Sequence, residues 1–593
     1  MAGLKLVGFQ AEVPRTAERL LPDLAAQQAE NINLTSGEIR PIRPPLMVYA
    51  PAGGNPKKSA YRAVYNGKEK WFAWDDDIDV AKAPFSADVS PRYYWTGEGC
   101  PRYATFDEFG ASAYAIGLPA PTNKPTVTVS GGAGSVINRI YCVTYYHPDT
   151  GEESAPSAVS DIVSGAVDGA WLITNLNDLP TDTRDAPWRK TGLHHRLYRT
   201  TGTSASMQLV AERPVSTGSW SDNLSDAAIL GDELISADWL PPPADLKGIM
   251  ALPNGSLVGF SGNLLCYSEP YQPHAWPSAY RYGTDFPIVA VDNFGTTVVV
   301  GTSAKPVVAV GSDPSVVTMD NSIDKAWPCL SKRSMTSVGD GVIYATTNGL
   351  AYIGSTGQDL FTKNLYTKEE WWPLDPSQMV CAYAEGMVFV AYTKPGNTTQ
   401  LMVINPGETA SLVRYNLSPT GLYVDPTTGL LYLVGYSVDR WDAGYGMRMV
   451  FNWLSKEFEF PTPMNFGAAK VEFASLMSQA DVAQEEANYL ADIAFNQSVI
   501  NGAVQVGAFN NERFNGMTIN GSHLVRPRGV ERESLSVTVY GRNGEIFTKS
   551  VFSNEAFSLP SGYKSDILSI RLVGNVRVKS VKIAETKRGL AEI

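Results

Sequence analysis

Cysteine is nearly absent from this chain: Cys100, Cys142, Cys266, Cys329 and Cys381 are the only five in 593 residues, all far apart. An odd, scattered set without a CxxC pair excludes a disulfide framework and a zinc ribbon, and fits synthesis in a reducing compartment. Charge is also sparse, at 18% against a usual quarter or so. Basic residues are in deficit: 48 Lys and Arg against 60 Asp and Glu leave −12. That deficit argues against a protein that grips nucleic acid over a broad face, since phosphate binding draws on Lys and Arg. It leaves room for contact with DNA that merely passes by. No run approaches 18 apolar residues, so no transmembrane helix is expected. The apolar run in the first ten residues is too short for a signal peptide. The expectation is a protein made in the cytoplasm and folded without export.

What is present is turn and strand material. There are 52 glycines and 39 prolines, aromatics make up 10%, and Val, Thr, Tyr and Trp recur between turns. This is the composition of a mainly β protein, and the length suggests three to five domains. Residues 1–50 read as an N-terminal helix and an extended arm. The Ala/Gln/Glu run from Leu20 to Asn33, with Pro22 in its first turn, predicts the helix. Pro41, Pro44 and Pro45 then impose extension, either along the arm's own domain or toward a neighbouring subunit. Residues 51–121 carry short strands, opened by a hairpin across Asn66-Gly67. Residues 122–235 space their strands like a small β-sandwich, with the turn-rich link Gly151-Glu-Glu-Ser-Ala-Pro-Ser157 and the strand His195-Arg-Leu-Tyr-Arg-Thr200. The order of these signals resembles a fibronectin type III-like module.

Residues 236–465 repeat. Paired strand segments begin at Gly255, Gly295, Gly341, Gly386 and Gly429, separated by 40, 46, 45 and 43 residues. A period in the low forties with two clear strands per unit marks β-propeller blades, which bury their faces only against one another. The five units, with the strands before Ala115, suggest about six blades interrupted by the sandwich. Residues 466–593 read as a C-terminal β domain. It contains a helix from 478 to 494, with apolar positions Val482, Ala487, Leu490 and Ile493, and an Asn/Gly-rich stretch continuing to about 525.

No catalytic constellation emerges. There is no HExxH, no Walker A loop and no GxSxG elbow. His194 and His195 are adjacent in a predicted strand and face opposite ways. His147, His274 and His523 lack ligand spacing. Asp75-Asp-Asp-Ile-Asp79 suggests a calcium loop, but Val80 stands where glycine is needed and Ser86 where glutamate is, so a solvated acidic turn is expected. Glu369-Glu370 beside Trp371-Trp372 hints at glycoside chemistry, yet adjacency does not set the gap that acid/base pairs need. The Asn397 sequon has no meaning without secretion. The basic cluster Arg184, Arg189, Lys190, Arg196 and Arg199, and a second at Arg526, Arg528 and Arg532, are expected at partner salt bridges or plain surface. No catalytic, cofactor-binding or metal-binding residue is assigned, and no cofactor. The chain is not expected to be an enzyme.

Two strings narrow the reading. Gly8-Phe-Gln-Ala-Glu-Val-Pro-Arg15, continued by Arg19 to Pro45, resembles the opening of tail proteins from short-tailed bacteriophages, nearest to the tail nozzle, or tail tubular protein B, family. The module from Gly151 to Thr200, the blade-like repeats and the closing sheet Phe557-Ser-Leu-Pro to Ala584 follow in the same order. The segment from about 478 to 525 departs from that pattern. The resemblance implies a structural virion protein made in the bacterial host. Six identical subunits would form a ring below the adaptor and portal, with tail fibres or spikes attached. The ring would conduct and gate double-stranded DNA without binding it specifically and without spanning a membrane. An acidic lumen suits that role, because phosphates slide past like charge. The alternative is a tail-associated propeller that binds or degrades host polysaccharide, which predicts an aromatic-floored pocket with paired carboxylates. A bacterial scaffold protein that uses its propeller for docking is the third class.

Overall fold

A computed structural model describes residues 3–84, 91–176, 179–202, 204–216, 218–229, 231–394, 396, 398–405, 411–476, 479–500 and 533–593. The fold class is mainly β, built of sheets that are almost wholly antiparallel, with propeller-blade strand order. The chain divides into two compact units. One comprises Met1–Pro56, Leu360–Asp375 and Met379–Ile593, the other Lys57–Asp359 and Pro376–Gln378.

The second unit holds four sheets of four strands each, in sequence order. They begin at Asp79–Lys82, Lys247–Ala251, Ile288–Phe294 and Thr336–Ser337. The predicted glycine period has a structural cause. Gly255 and Gly295 sit at positive φ (86° and 58°) in the turn between the first and second strands of their sheets. Only glycine enters that region without cost. The second strands that follow are wholly core: Val298, Val299 and Val300 are 0% exposed, as are Val342, Ile343 and Tyr344. The sandwich lies between the first and second of these sheets. Its strands run from Thr126–Ser130 to Trp220–Asp222, and its core joins Val127, Trp171 and Trp220 of one layer to Tyr141, Val143 and Leu197 of the other. The Asn66-Gly67 hairpin pairs Ser59–Tyr65 with Lys68–Trp74, as expected, and stands as a separate two-stranded sheet.

The first unit carries two further four-strand meanders, giving the six blade-type sheets the repeat predicts. One is Val380–Ala384 through Ser411–Tyr415; the other is Gly421–Val424, Leu431–Val434, Val438–Arg440 and, as its fourth strand, Leu46–Tyr49 from the N-terminal arm. The arm therefore completes a sheet of its own chain.

The N-terminal helix expected over 20–33 is a correction. Only Glu18–Leu20 forms a 3-10 turn, and Ala26–Glu30 is a strand between Ser411–Tyr415 and Phe451–Ser455. Ala and Gln favour helix weakly, by a few tenths of a kcal/mol each. Here Phe451–Ser455 pairs along one edge, the Ala26 and Ala29 amides donate to the Ala11 carbonyl and to Glu12 on the other, and Ala26 and Ala29, 1% and 0% exposed, fit a crowded central position. The boundary expected at 465 is also absent. Phe451–Ser455 and Ser565–Gly574 join one ten-stranded sheet with Val380–Ala384, so residues 379–593 belong together with 1–56. The expected helix is present as Gln479–Ile500. Its predicted apolar face lies open, with Val482, Leu490 and Ile493 at 49%, 57% and 39% exposure.

Candidate functional site

The two strings that carry the sequence resemblance become core architecture in the first unit. Phe9 is 2% exposed and meets the Trp453 ring edge-on at 5.0 Å, while Trp453 Nε1 donates to the Gln10 carbonyl at 3.1 Å. Glu12 is buried between strands. Its Oε1 accepts from the Ala29 amide at 2.8 Å and its Oε2 from Arg414 Nε at 2.9 Å. Burial raises its pKa, and Arg414 partly offsets that rise. The closing string pairs with the opening of the chain: Gly3–Val7 runs antiparallel to Arg577–Ala584.

In the second unit the Gly151–Ser157 motif is a polar junction. Glu153 is 4% exposed. It accepts from Thr144 Oγ1 (2.7 Å), Tyr198 Oη (2.8 Å) and Arg196 (2.9 Å), and its amide donates to His274 Nε2 at 3.2 Å. Glu152, 1% exposed, accepts from Tyr103 Oη at 3.0 Å and lies 3.8 Å from Arg92. The sandwich is thereby tied to the first two blade-type sheets. His274 is held neutral, its pKa pushed down to about 3 by burial and by Arg92.

The three serines that follow explain the motif's spacing. Ser154, Ser157 and Ser160 each give and take with Tyr145, Val143 and Tyr141: the serine amide donates to the carbonyl, and the hydroxyl accepts from the amide. Three residues of this segment thus match two of the strand, a repeated bulge with Pro156 inside it.

The acidic turn is more than solvated. Asp75 and Asp76 are exposed, but Asp77 and Asp79 meet Lys332 Nζ at 3.1 and 2.6 Å. Asp79 also accepts from the Gly248 amide at 3.1 Å. Its side chain keeps 29% of its surface accessible; burial raises its pKa, and Lys332 partly offsets that rise. Asp292, on the strand Ile288–Phe294, has its pKa raised to about 6 by burial, with Asp79 adding. Among the described residues no group of three His, Cys, Asp or Glu is placed to hold a metal ion.

The basic cluster, expected at partner bridges or plain surface, is consumed within the chain. Arg189 makes a two-pronged contact with Glu108 (3.0 and 2.9 Å). Arg196 lies over Tyr146 at 3.3 Å. Arg199 contacts Asp222 at 2.7 Å and Asp226 at 2.6 Å. The acids that pair with Arg189 and Arg199 lie 81 and 23–27 residues away, which local composition cannot reveal. His194 and His195 do face opposite ways: His194 binds Glu212 at 2.9 Å, and His195 is buried and stacks on Tyr145. Glu370 closes a capping box with Thr367, and Trp371 is buried while Trp372 is 57% exposed. His523, Arg526, Arg528, Arg532, Ser86 and Asn397 lie outside the described residues.

One feature was not visible in sequence. A surface cup of about 290 Å³ is lined by Phe72, Trp74, Trp95 and Phe109, with Glu98 and Arg102 at its rim. Phe72 and Phe109 are 4.0 Å apart between ring centroids, and Trp95 Nε1 donates to Glu98 at 3.2 Å. Alternation along Lys68–Trp74 aims Phe72 and Trp74 to one side.

Neither a family model nor a curated protein matches this chain. Among solved structures, YCF48 bound to a D1 peptide is 12% identical with a TM-score of 0.22, covering 55% of this chain and 98% of that one. The extracellular domain of the putative hybrid two-component system BT4673 from B. thetaiotaomicron is 11% identical with a TM-score of 0.17, covering 69% and 52%. A structure described as the one-component system BT4673 domain scores 0.20 at 10% identity. Scores at this level leave the architecture to rest on its own strand order. Among the described residues no helix is long and apolar enough to cross a membrane.

Proposed function

We propose that this protein is a tail nozzle subunit of a short-tailed bacteriophage. In this reading it is a structural virion component that assembles as a six-membered ring and conducts and gates the genome. The observation that supports the reading is the joint placement of the two resembling strings. Residues 8–45 and 557–584 fall in one compact unit and share its core. Segments that carry a resemblance at opposite ends of a long chain and fold together form one platform, suited to holding a ring. The acidic balance, −12 per subunit, suits a bore that repels phosphate. The adaptor and portal above and fibres or spikes at the side are the partners this reading requires. Light scattering and electron microscopy of purified protein test it. Six copies of a 64.2 kDa chain give about 385 kDa and a six-fold ring with an axial opening. A monodisperse monomer at micromolar concentration would refute it.

A second reading, binding of host polysaccharide, is favoured by the aromatic cup alone. Flat rings beside a carboxylate and a guanidinium suit stacking on a sugar ring. Titrating host surface glycan while following tryptophan fluorescence tests it. A saturable change lost in Trp74→Ala supports the reading, and no change removes it.

A further inference from the structure

Sheet register in the first unit assembles three lysines from distant parts of the chain. Lys5 lies directly opposite Lys582, and Lys582 directly opposite Lys470, on adjacent antiparallel strands. Residues directly opposite share a face, so the three side chains form one row on strands about 4.8 Å apart. The adjoining row, Leu6, Val581 and Val471, points the other way and is at most 1% exposed. The lysines therefore face outward; Lys5 is exposed, and Lys470 and Lys582 are half-buried.

Like charges placed opposite one another destabilise a sheet. Repulsion along this row works against the fold. Glu472 offsets part of it: its carboxylate accepts from Lys470 Nζ at 2.8 Å and from Ser580 Oγ at 2.9 Å. Those bonds hold its pKa below the ordinary value, and the charges of Lys470 and Lys582 add to the effect. The row also ends at a sheet margin. Gly3–Val7 is the terminal strand in the sheet order, and Val7, next on the same face, is 55% exposed. Basic side chains beside an apolar one and a strand margin form a protein-recognition surface rather than a phosphate track.

We infer that this lysine row is a contact face between copies of the chain, docking on acidic surface of the neighbour. The inference rests on the ring reading above. Charge complementarity selects the occupant: each copy carries −12, with exposed acids such as Asp76 and Glu369. A contact that joins a basic face to a different, acidic face is heterologous, the kind that closes rings.

The test is the triple variant Lys5→Gln, Lys470→Gln and Lys582→Gln in the full chain, with Lys582→Gln alone as a milder version. Thermal unfolding is expected unchanged or higher, because internal repulsion is removed. Association by analytical ultracentrifugation is expected to weaken at least about tenfold. Wild-type association should also weaken as NaCl rises from about 50 to about 500 mM, and the triple variant should lose most of that dependence. Assembly of the triple variant with wild-type strength and salt response overturns the inference while leaving the ring reading intact. A wild-type chain that never associates overturns both. Binding of a DNA duplex of about 30 base pairs by the wild type, lost in the triple variant, assigns the row to nucleic acid and overturns the inference as well.

Discussion

Several buried charges in this protein are paired with one another, and those pairs are where single substitutions act. Inside the sandwich, Arg199 and Arg139 are 0% and 1% exposed and share Asp222 and Asp226, with Tyr141 donating to Asp222 at 2.8 Å. Removing one member strands the others without water. Asp222→Ala is therefore expected to cost about 3–5 kcal/mol, read from denaturant unfolding. Asp161→Ala, which deletes an exposed pair with Lys124, should cost less than about 1 kcal/mol. Asp292 behaves differently, because its folded pKa, about 6, lies above the unfolded value near 3.9. The folded state then holds the proton more tightly. Its contribution is full below about pH 3.9 and is lost as pH rises through about 6. Asp292→Asn keeps an acceptor for the Asn293 amide. It should raise the melting temperature at pH 8 relative to wild type and leave it nearly unchanged at pH 4. A wild-type advantage at pH 8 would contradict this.

Elements with a local cause were legible in the sequence, and those with a distant cause were not. Asn66-Gly67 and the glycines Gly255, Gly295, Gly386 and Gly429 announce their turns, because a positive φ is a demand on one residue. The helix Gln479–Ile500 follows from its own composition. The strand Ala26–Glu30 does not, since its conformation is imposed by strands some 385 and 425 positions away. The same holds at the candidate sites. The partners of the basic cluster, the lysine row and the aromatic cup are products of tertiary pairing, which no window of sequence contains. The serine ladder lies between these cases: its period is visible, its partner strand is not. Each hydroxyl caps a buried amide, so Ser157→Ala should cost about 1–3 kcal/mol through the orphaned Val143 amide. Hydrogen exchange at Val143 reads this directly, and unchanged protection there would contradict the role.

At the scale of the whole molecule, the sheet that joins Gly3–Val7 to Arg577–Ala584 ties the first residues described to nearly the last. The unit they build also includes the arm strand Leu46–Tyr49, placed beside Val438–Arg440. Deleting residues 560–593 is therefore expected to damage the N-terminal segment as well as the C-terminal one. The truncated chain should be cleaved by protease within residues 3–56 under conditions where the full chain resists, which limited proteolysis with mass spectrometry can score.

That pairing has a consequence for biosynthesis. At roughly 5–20 residues per second, translation leaves the opening strand waiting on the order of a minute for its partner. During that interval an apolar, unzipped segment is exposed to chaperones and to sister nascent chains. A product cut short before Arg577–Ala584 lacks the strand that pairs with it. The late strand Arg577–Ala584 thus sets when the early strand Gly3–Val7 is covered.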